Sequence, residues 1–258
     1  MNQANRLRPR TFVSRRWLPG TLLVLVGVAV LVRLGVWQLD RLEQRKAEVA
    51  RLEMVLAEPP ISLNNEDPLA GVEEPEYQQA SVQGVYDLAE QVRVTQRRFR
   101  GQSGMWLITP LLIEGQETAI LVNRGWIPTS DQGFEAWPDF PESRQVSVTG
   151  YLRPGERLPN GRQAPLPDAP KTEWLRVDIP GIQAQMPYPL LPFYLQALPE
   201  TEESALGIGE PPYREEPLFD LSNGPHLSYA IQWFIFSFIL AGGYIYLVWK
   251  QESIQSHQ

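Results

Sequence analysis

Residues Leu18–Leu39 read LPGTLLVLVGVAVLVRLGVWQL, a continuous apolar run of 22 residues with one charge, Arg33. As an α-helix this run would extend about 33 Å, enough to cross the roughly 30 Å hydrocarbon core of a bilayer. Arg33 lies one to two turns from the end of the run, so its long side chain can reach the membrane surface. Trp17 and Trp37 flank the run as interfacial anchors do. The segment predicts a membrane-spanning helix.

A second run, Leu227–Trp249, reads LSYAIQWFIFSFILAGGYIYLVW and has no charge in 23 residues. It is also long enough to span a bilayer. A cleaved signal peptide is the competing interpretation of the first run, but that run is too long for a typical signal core. The Arg33–Gln38 segment offers no small-x-small cleavage site, and too few residues precede the run for a mitochondrial presequence. We therefore predict two transmembrane helices, at 18–39 and 227–249.

Charge predicts the orientation of these helices. No acid precedes the first run, which follows five arginines: Arg6, Arg8, Arg10, Arg15 and Arg16. Positive charge favours the cytoplasmic side, which places residues 1–17 and the tail 250–258 in the cytoplasm and residues 40–225 in the periplasm of a bacterium. The predicted location is the bacterial inner (plasma) membrane, with both termini cytoplasmic.

The segment between the runs is acidic. Trp37–His226 holds 29 Asp and Glu against 16 Lys and Arg. Such a domain repels nucleic-acid phosphate, so nucleic acid is not an expected partner. The two apolar runs make the lipid bilayer the expected non-protein partner.

A helix is predicted to follow the first run directly. In Asp40–Ala57 the residues Leu42, Val49 and Leu56 recur at a spacing of seven among charged residues, and Pro59 stands just beyond the segment. This spacing gives a helix a narrow apolar stripe, and a proline ends a helix. The first helix should therefore project past the membrane.

From Glu76 onward the pattern is that of strands, which are short apolar or alternating runs separated by turn residues. The predicted strands are Tyr77–Tyr86, Gln91–Arg98, Met105–Ile113, Thr118–Arg124, Gln145–Leu152, Glu173–Asp178 and Pro192–Leu198, with a short helix at Ile179–Met186. An acidic, proline-rich linker, Thr201–Asp220, would lead back to the membrane. The predicted fold is an α+β membrane protein in which two transmembrane helices flank an antiparallel β-rich extracytoplasmic domain, formed as a sheet or barrel.

Residues that carry enzyme chemistry are scarce. The chain has no Cys and two His, and it lacks GxSxG, HExxH and Gly-rich phosphate-loop motifs. Without Cys there can be no disulfide, thiolate nucleophile or Cys-ligated metal. The sequence therefore predicts a protein that is not an enzyme.

Four segments are richer in Gly, Trp, Arg and His than a plain β-domain requires. They are Gly35–Arg41 (GVWQLDR), Gly84–Asp87 (GVYD), Leu121–Pro128 (LVNRGWIP) and Pro225–Phe234 (PHLSYAIQWF). In this order they resemble the surfeit locus protein 1 family, as do Gly104–Leu111 (GMWLITPL), Gly150–Glu156 (GYLRPGE) and the pair Trp174 and Asp178. The resemblance covers nearly the whole chain and includes both apolar runs.

This resemblance implies an assembly factor for cytochrome c oxidase. Such a factor would act as a membrane-bound haem chaperone, binding haem a as cargo and aiding its insertion into the catalytic subunit. The expected partners are that subunit and, as a further candidate, haem a synthase. The alternative is a membrane scaffold that binds oxidase subunits without binding haem.

His226 is the candidate ligand of the haem iron. It stands directly before the second run and directly after Pro225, a residue suited to the first position of a helix, and so would lie at the outer membrane surface. Tyr229 and Trp233 follow at i+3 and i+7, on the same helix face. The competing interpretation, an interfacial histidine in an aromatic belt, is favoured by the residues alone, and the family resemblance favours ligation. His257, near the other end of the run, would lie across the membrane, so one axial ligand is expected from this chain.

Four more residues are candidate haem contacts by resemblance. Arg124 or Arg41 would meet the haem propionates, and Trp126 and Trp37 would contact the porphyrin. The structural interpretation of Asn123–Gly125 is a turn after a strand, with Trp126 filling the core.

Overall fold

The structure is a computed structural model that describes residues 9–67, 69–70, 75–129, 145–200 and 211–255. Arg6, Arg8, His257 and the first half of the predicted 201–220 linker lie outside the described residues. The chain forms two compact units, which divide between Glu53 and Met54 and again between Phe219 and Asp220. One unit contains the two long helices, and the other, Met54–Phe219, contains the strands.

The described residues form four α-helices and eight strands. The helices are α1 (Pro9–Phe12), α2 (Leu18–Ala57), α3 (Ile179–Gln183) and α4 (His226–Gln255). The strands are β1 (Ile61–Ser62), β2 (Gln79–Tyr86), β3 (Val92–Phe99), β4 (Gln102–Ile113), β5 (Ala119–Pro128), β6 (Gln145–Pro154), β7 (Glu173–Trp174) and β8 (Leu190–Ala197).

Helix α2 continues without a break from the apolar run into the charged segment that follows. It has 40 residues, which corresponds to about 60 Å of helix. No glycine or proline occurs between Val36 and Glu58, so nothing in the backbone interrupts the helix, and Pro59 prevents its continuation. The predicted extension of the first helix to Ala57 is confirmed.

Helices α2 and α4 are long and apolar enough to cross a membrane. Only 6% of the most apolar window of α2, and 11% of that of α4, is buried within the protein. A core helix of a soluble domain would bury its apolar face against the rest of the fold. The exposed apolar surface of both helices fits a membrane protein.

The two long helices pack antiparallel, and small residues allow the close approach. A Cβ added at Gly35 would lie 2.7 Å from the ring of Phe234. Nearer the start of α2, the Thr21 hydroxyl lies 2.7 Å from the hydroxyl of Tyr244, which is nearer the end of α4. Close backbone approach through glycine, with hydrogen bonds between polar side chains, is typical of helix pairs in lipid.

Five strands of the second unit close into a ring. In the order β2, β6, β8, β5 and β4, each strand pairs with the next, and β4 pairs back to β2 through Gly84–Tyr86. The twelve residues of β4 pair with β5 along almost the whole of one edge, and with β3 and then β2 along the other edge. The prediction of a sheet or barrel is therefore resolved in favour of a barrel.

The prediction of an antiparallel domain holds for five of the eight strand pairings in the described residues and is wrong for three. Strand β8 runs parallel to β5, and the short strands β1 and β7 run parallel to β2 and β3. The chain between β6 and β8 contains β7 and α3, a connection long enough to bring β8 back beside β5 in the same direction. Strand order therefore departs from a simple meander.

Two apolar clusters fill the domain. Every strand of the ring contributes to the first cluster, which includes Val82, Leu111, Val122, Leu152 and Leu195. The second cluster lies on the other side of β5 and is covered by α3: it contains Leu121, Ile182, Trp174 and Tyr194, among others. Because both faces of β5 are covered, nine of its ten residues are buried.

Candidate functional site

Helix α4 begins at His226. The Tyr229 N–H donates to the Pro225 carbonyl at 3.1 Å, so Pro225 is the N-terminal cap of the helix. The prediction that Pro225 is the first residue of the helix is therefore wrong. His226 is half-buried, and Ala230, one turn later, is fully buried. The start of α4 therefore presents its histidine on the side that packs within the helical unit.

A hydrogen bond joins this histidine to α2. His226 Nδ1 lies 3.0 Å from the Gln38 side-chain oxygen Oε1. A carbonyl oxygen can only accept, so in the neutral ring this contact requires the proton on Nδ1 and leaves the lone pair on Nε2. That tautomer can bind a metal through Nε2.

The space beside Nε2 is left open by a glycine. Gly224 has φ +65°, a conformation that glycine adopts readily. A Cβ added at Gly224 would lie 3.5 Å from His226 Nε2, in van der Waals contact with the atom that would bind a ligand. Glycine at this position keeps that side of the ring uncovered.

Arg45 of α2 holds the segment that leads into His226. Its guanidinium donates to the carbonyl oxygens of Ser222, at 3.0 Å, and of Asp220, at 2.5 Å. It also pairs with the Asp220 carboxylate at 3.3 Å. Hydrogen bonds from Ser222, followed by the charge of Arg45, hold the pKa of Asp220 below its usual value. The turn before α4 is therefore fixed from the same helix that supplies Gln38.

The aromatic candidates around His226 lie mostly on outer surfaces. Tyr229 is 46% exposed and Trp37 is 45% exposed. Trp233 is half-buried and packs edge-on against Phe236, with the ring centroids 6.1 Å apart. These side chains are available to lipid or to an apolar ligand.

Arg41 is exposed on α2, where it donates to the Gln44 side chain at 2.9 Å. It stands three residues beyond Gln38, one turn along the same helix. Its guanidinium is therefore accessible to an anionic group near this end of the helical unit.

Arg124 lies in the other unit and is fully buried, with 0% exposure. Its Nη1 donates to the Gln91 side chain at 2.9 Å, and its guanidinium carbon lies 5.0 Å from the centroid of the Tyr86 ring. Gln91 also accepts a hydrogen bond from Thr109 at 2.9 Å. A propionate could reach this guanidinium only if the covering residues moved.

The Asn123–Trp126 motif forms a bulge within β5 and not a turn after it. Opposite β4, Leu107 pairs with Gly125 and Ile108 with Asn123, so Arg124 is the extra residue. The Asn123 side chain accepts the Gly125 N–H at 3.1 Å. Gly125 has φ +134°, and a Cβ there would lie 2.7 Å from the Tyr213 carbonyl oxygen. Glycine is therefore required both by the backbone conformation and by the lack of space for a side chain.

Trp126 fixes a distant segment of the chain to this bulge. Its backbone exchanges two hydrogen bonds with Tyr213, at 2.7 and 2.8 Å. Its buried ring stacks with Phe99, at a centroid distance of 5.3 Å, and with Tyr213, at 6.3 Å. These contacts are those expected of a side chain that fills the core.

The Gly84–Asp87 motif closes the barrel. A Cβ at Gly84 would overlap the carbonyl oxygen of Leu112, where β2 crosses β4. Asp87 accepts hydrogen bonds from the Ala89 N–H, at 3.2 Å, and from the Tyr188 hydroxyl, at 2.9 Å. Burial, then this hydrogen bond to Asp87, raises the pKa of Tyr188 well above its usual value, so the phenol stays protonated and donates.

The structure thus separates the predicted site residues into two groups. His226, Tyr229, Trp233, Trp37 and Arg41 belong to the helical unit, whereas Arg124 and Trp126 belong to the barrel, where they support the fold. Sequence reasoning missed Gln38 as a site residue. The signal available was its position between Gly35 and Leu42, at the spacing of a buried helical stripe. Across the described ranges, no three His, Asp or Glu side chains cluster as a metal site.

Comparison with known proteins identifies similar chains. The model of the SURF1 family matches residues 25–238. The SURF1-like protein of Rickettsia felis is 28% identical over 236 residues, which cover 90% of this chain and 97% of that one. Surfeit locus protein 1 of Xenopus tropicalis is 29% identical over 150 residues (52% and 48%), and the cytochrome oxidase assembly protein SHY1 of Saccharomyces cerevisiae is 26% identical over 152 residues (52% and 38%).

Proposed function

Given that this chain belongs to the SURF1 family, we propose that it is a membrane-bound assembly factor for cytochrome c oxidase that holds haem a at His226. It would deliver this cargo to the catalytic subunit of the oxidase. Support for an assembly role comes from the similarity to a protein named for cytochrome oxidase assembly. Support for haem comes from one observation, the hydrogen bond between His226 Nδ1 and Gln38.

The residues present fit a haem. An imidazole whose Nδ1 donates to a carbonyl oxygen is the usual arrangement of a metal-binding histidine. The bare Cα of Gly224 leaves the Nε2 side of the ring uncovered. The exposed rings of Tyr229 and Trp37 are available to an apolar macrocycle. Haem iron accepts an axial imidazole.

On this proposal, each candidate site residue of the helical unit has a role. His226 would hold the iron through Nε2, and Tyr229, Trp233 and Trp37 would contact the porphyrin. Arg41 is the better candidate for a propionate because its guanidinium is exposed, whereas that of Arg124 is enclosed by Tyr86 and Gln91. Apart from ligation of the iron by His226, no bond of the cargo would be made or broken, so the protein would act as a carrier and not as an enzyme. A single axial histidine from this chain makes the cargo easier to release.

The proposed setting is the bacterial inner membrane. Helices α2 and α4 would span it, and Met54–Phe219 would lie in the periplasm, because the arginines before α2 favour the cytoplasmic side. His226 would then lie near the outer surface of the bilayer, where a lipophilic haem is soluble. The partners would be the catalytic subunit and haem a synthase.

The alternative is a scaffold that binds oxidase subunits without binding haem. One observation favours it: a Gln–His hydrogen bond between two helices can by itself stabilise a helix pair in lipid. On this hypothesis His226 is structural, and a variant that preserves the helix pair would preserve assembly.

Deletion of the gene tests the assembly role. We expect cytochrome c oxidase activity to fall while haem a synthesis continues, because the protein acts after the cofactor is made. Oxidase activity in membranes and extracted haem a are the measurements. Plasmid-borne wild-type protein is the control and should restore activity. Fully haem-loaded, active oxidase in the deletion strain, with no second gene copy present, would contradict the role.

Alkaline phosphatase fusions test the orientation. A fusion after Gly150, in β6, should be active, and a fusion after Gln258 should be inactive, because the phosphatase folds only in the periplasm. Both fusions carry the same N-terminal arginines, so each serves as the control for the other. The reverse pattern of activities would place the barrel in the cytoplasm and contradict the proposed setting.

A further inference from the structure

We propose that Gln38 is a positioning residue, which fixes His226 in the tautomer that binds iron through Nε2. This inference rests on the proposed function and names the residue that prepares its ligand. Gln38 would not touch the haem iron; it would act through the ring of His226.

In a neutral imidazole either nitrogen can carry the hydrogen, and the partner of each nitrogen decides which does. Gln38 turns its Oε1 toward Nδ1 at 3.0 Å, and an amide oxygen offers a lone pair and no hydrogen. In this orientation of the amide, the neutral ring carries its proton on Nδ1 and keeps the lone pair on Nε2, beside the open space at Gly224.

The packing of α2 against α4 places Gln38 beside the histidine. It is half-buried and stands between Gly35 and Leu42, both of which are buried on α2. The close contact of Gly35 with Phe234, one turn away, brings α2 and α4 within the reach of a glutamine side chain. The helix packing therefore aims the amide at the histidine before any ligand arrives.

The backbone that precedes His226 is also held by α2. Arg45, seven residues beyond Gln38 and so two turns along α2, holds the backbone at Asp220 and Ser222. With α4 capped at Pro225, the ring is fixed through its backbone and its Nδ1 together. Such support prepares the ligand geometry in advance, which reduces the ordering needed when the cargo binds.

Removal of a hydrogen-bond partner from a metal-binding histidine typically lowers metal affinity by about 10–100-fold. We expect Gln38→Leu to lower the affinity for haem a by about that factor. Gln38→Glu keeps an acceptor at the same reach and should restore most of the affinity. Gln232→Leu, an equivalent replacement on the exposed face of α4, is the matched control and should bind as the wild type does.

The test uses the full-length protein in detergent, without haem and then with haem a. Nitrogen-15 NMR of the haem-free protein distinguishes a protonated ring nitrogen from a bare one, and the chain has only two histidines to assign. Wild type, Gln38→Glu and Gln232→Leu should show His226 protonated at Nδ1. Gln38→Leu should show a mixture of tautomers and, with haem a, an altered iron–histidine vibration.

The outcomes separate the two proposals. Protonation of Nε2 in the wild type, or an unchanged tautomer in Gln38→Leu, would overturn the positioning role even if haem a binds. A failure of Gln38→Glu to restore the wild-type spectrum would also overturn it. If the wild type shows the Nδ1 tautomer but binds no haem a, the proposed function fails, and the hydrogen bond is structural only.

Discussion

The variant His226→Ala is expected to lose the histidine-ligated haem spectrum while the protein still accumulates in the membrane. Loss of the hydrogen-bond partner of a metal-binding histidine typically costs about 10–100-fold in metal affinity, so loss of the ligand itself should cost more than about 100-fold. The helix should tolerate the change, since alanine is the residue most favourable to helices. Haem a titration, followed by absorption and resonance Raman spectra, measures the effect.

Two sets of variants make this result specific. His226→Gln keeps a polar group opposite Gln38 and should also lose the spectrum, which separates ligation from loss of the hydrogen bond between helices. Tyr229→Ala and Trp233→Ala should only weaken binding, because they remove contacts and no ligand. An unchanged histidine-ligated signature in His226→Ala would place the ligand elsewhere. Restoration of oxidase assembly by His226→Gln in the deletion strain would favour the scaffold.

The second large effect is expected from Gly84→Ala in the barrel. The added Cβ would overlap the carbonyl oxygen of Leu112, and backbone atoms cannot move aside as a flexible side chain can. The β2–β4 pairing that closes the ring must therefore open. We expect a loss of about 3 kcal/mol or more. At about 2–4 °C per kcal/mol for a unit of this size, the unfolding temperature should fall by at least about 6 °C.

Thermal unfolding followed by near-ultraviolet circular dichroism reports on this change, because the stacked rings of Trp126, Phe99 and Tyr213 lie in the barrel. Gln83→Ala, at the adjacent exposed position of β2, is the control and should lie within about 0.5 kcal/mol of the wild type. An unfolding temperature of Gly84→Ala equal to that of Gln83→Ala would mean that the closure tolerates a side chain.

The elements of this fold were largely predictable because their signals are local. The apolar run at 18–39 and the sevenfold spacing of Leu42, Val49 and Leu56 predicted α2 to its last residue. Alternation located most strands to within a few residues. One strand, predicted at 173–178, is only two residues long, because the chain bends directly after Trp174; Asp178 then caps α3.

Pairings between distant segments could not be predicted in the same way. The parallel placement of β8 beside β5 depends on the path of the intervening chain and not on the residues of either strand. Arg124 and Gly125 resemble a turn locally, but the register of β4 makes them a bulge. The partner of His226 is 188 residues away, so its identity depends on how α2 and α4 pack.

This separation also sets a sequence of events during synthesis. Gln38 leaves the ribosome 188 residues before His226, and at about 5–20 residues per second the interval is roughly 10–40 s. Until α4 has been inserted beside α2, the imidazole is neither present nor oriented. On the proposed function, a nascent chain would be unable to take up its cargo early, and loading would act as a check that both helices have been inserted and paired.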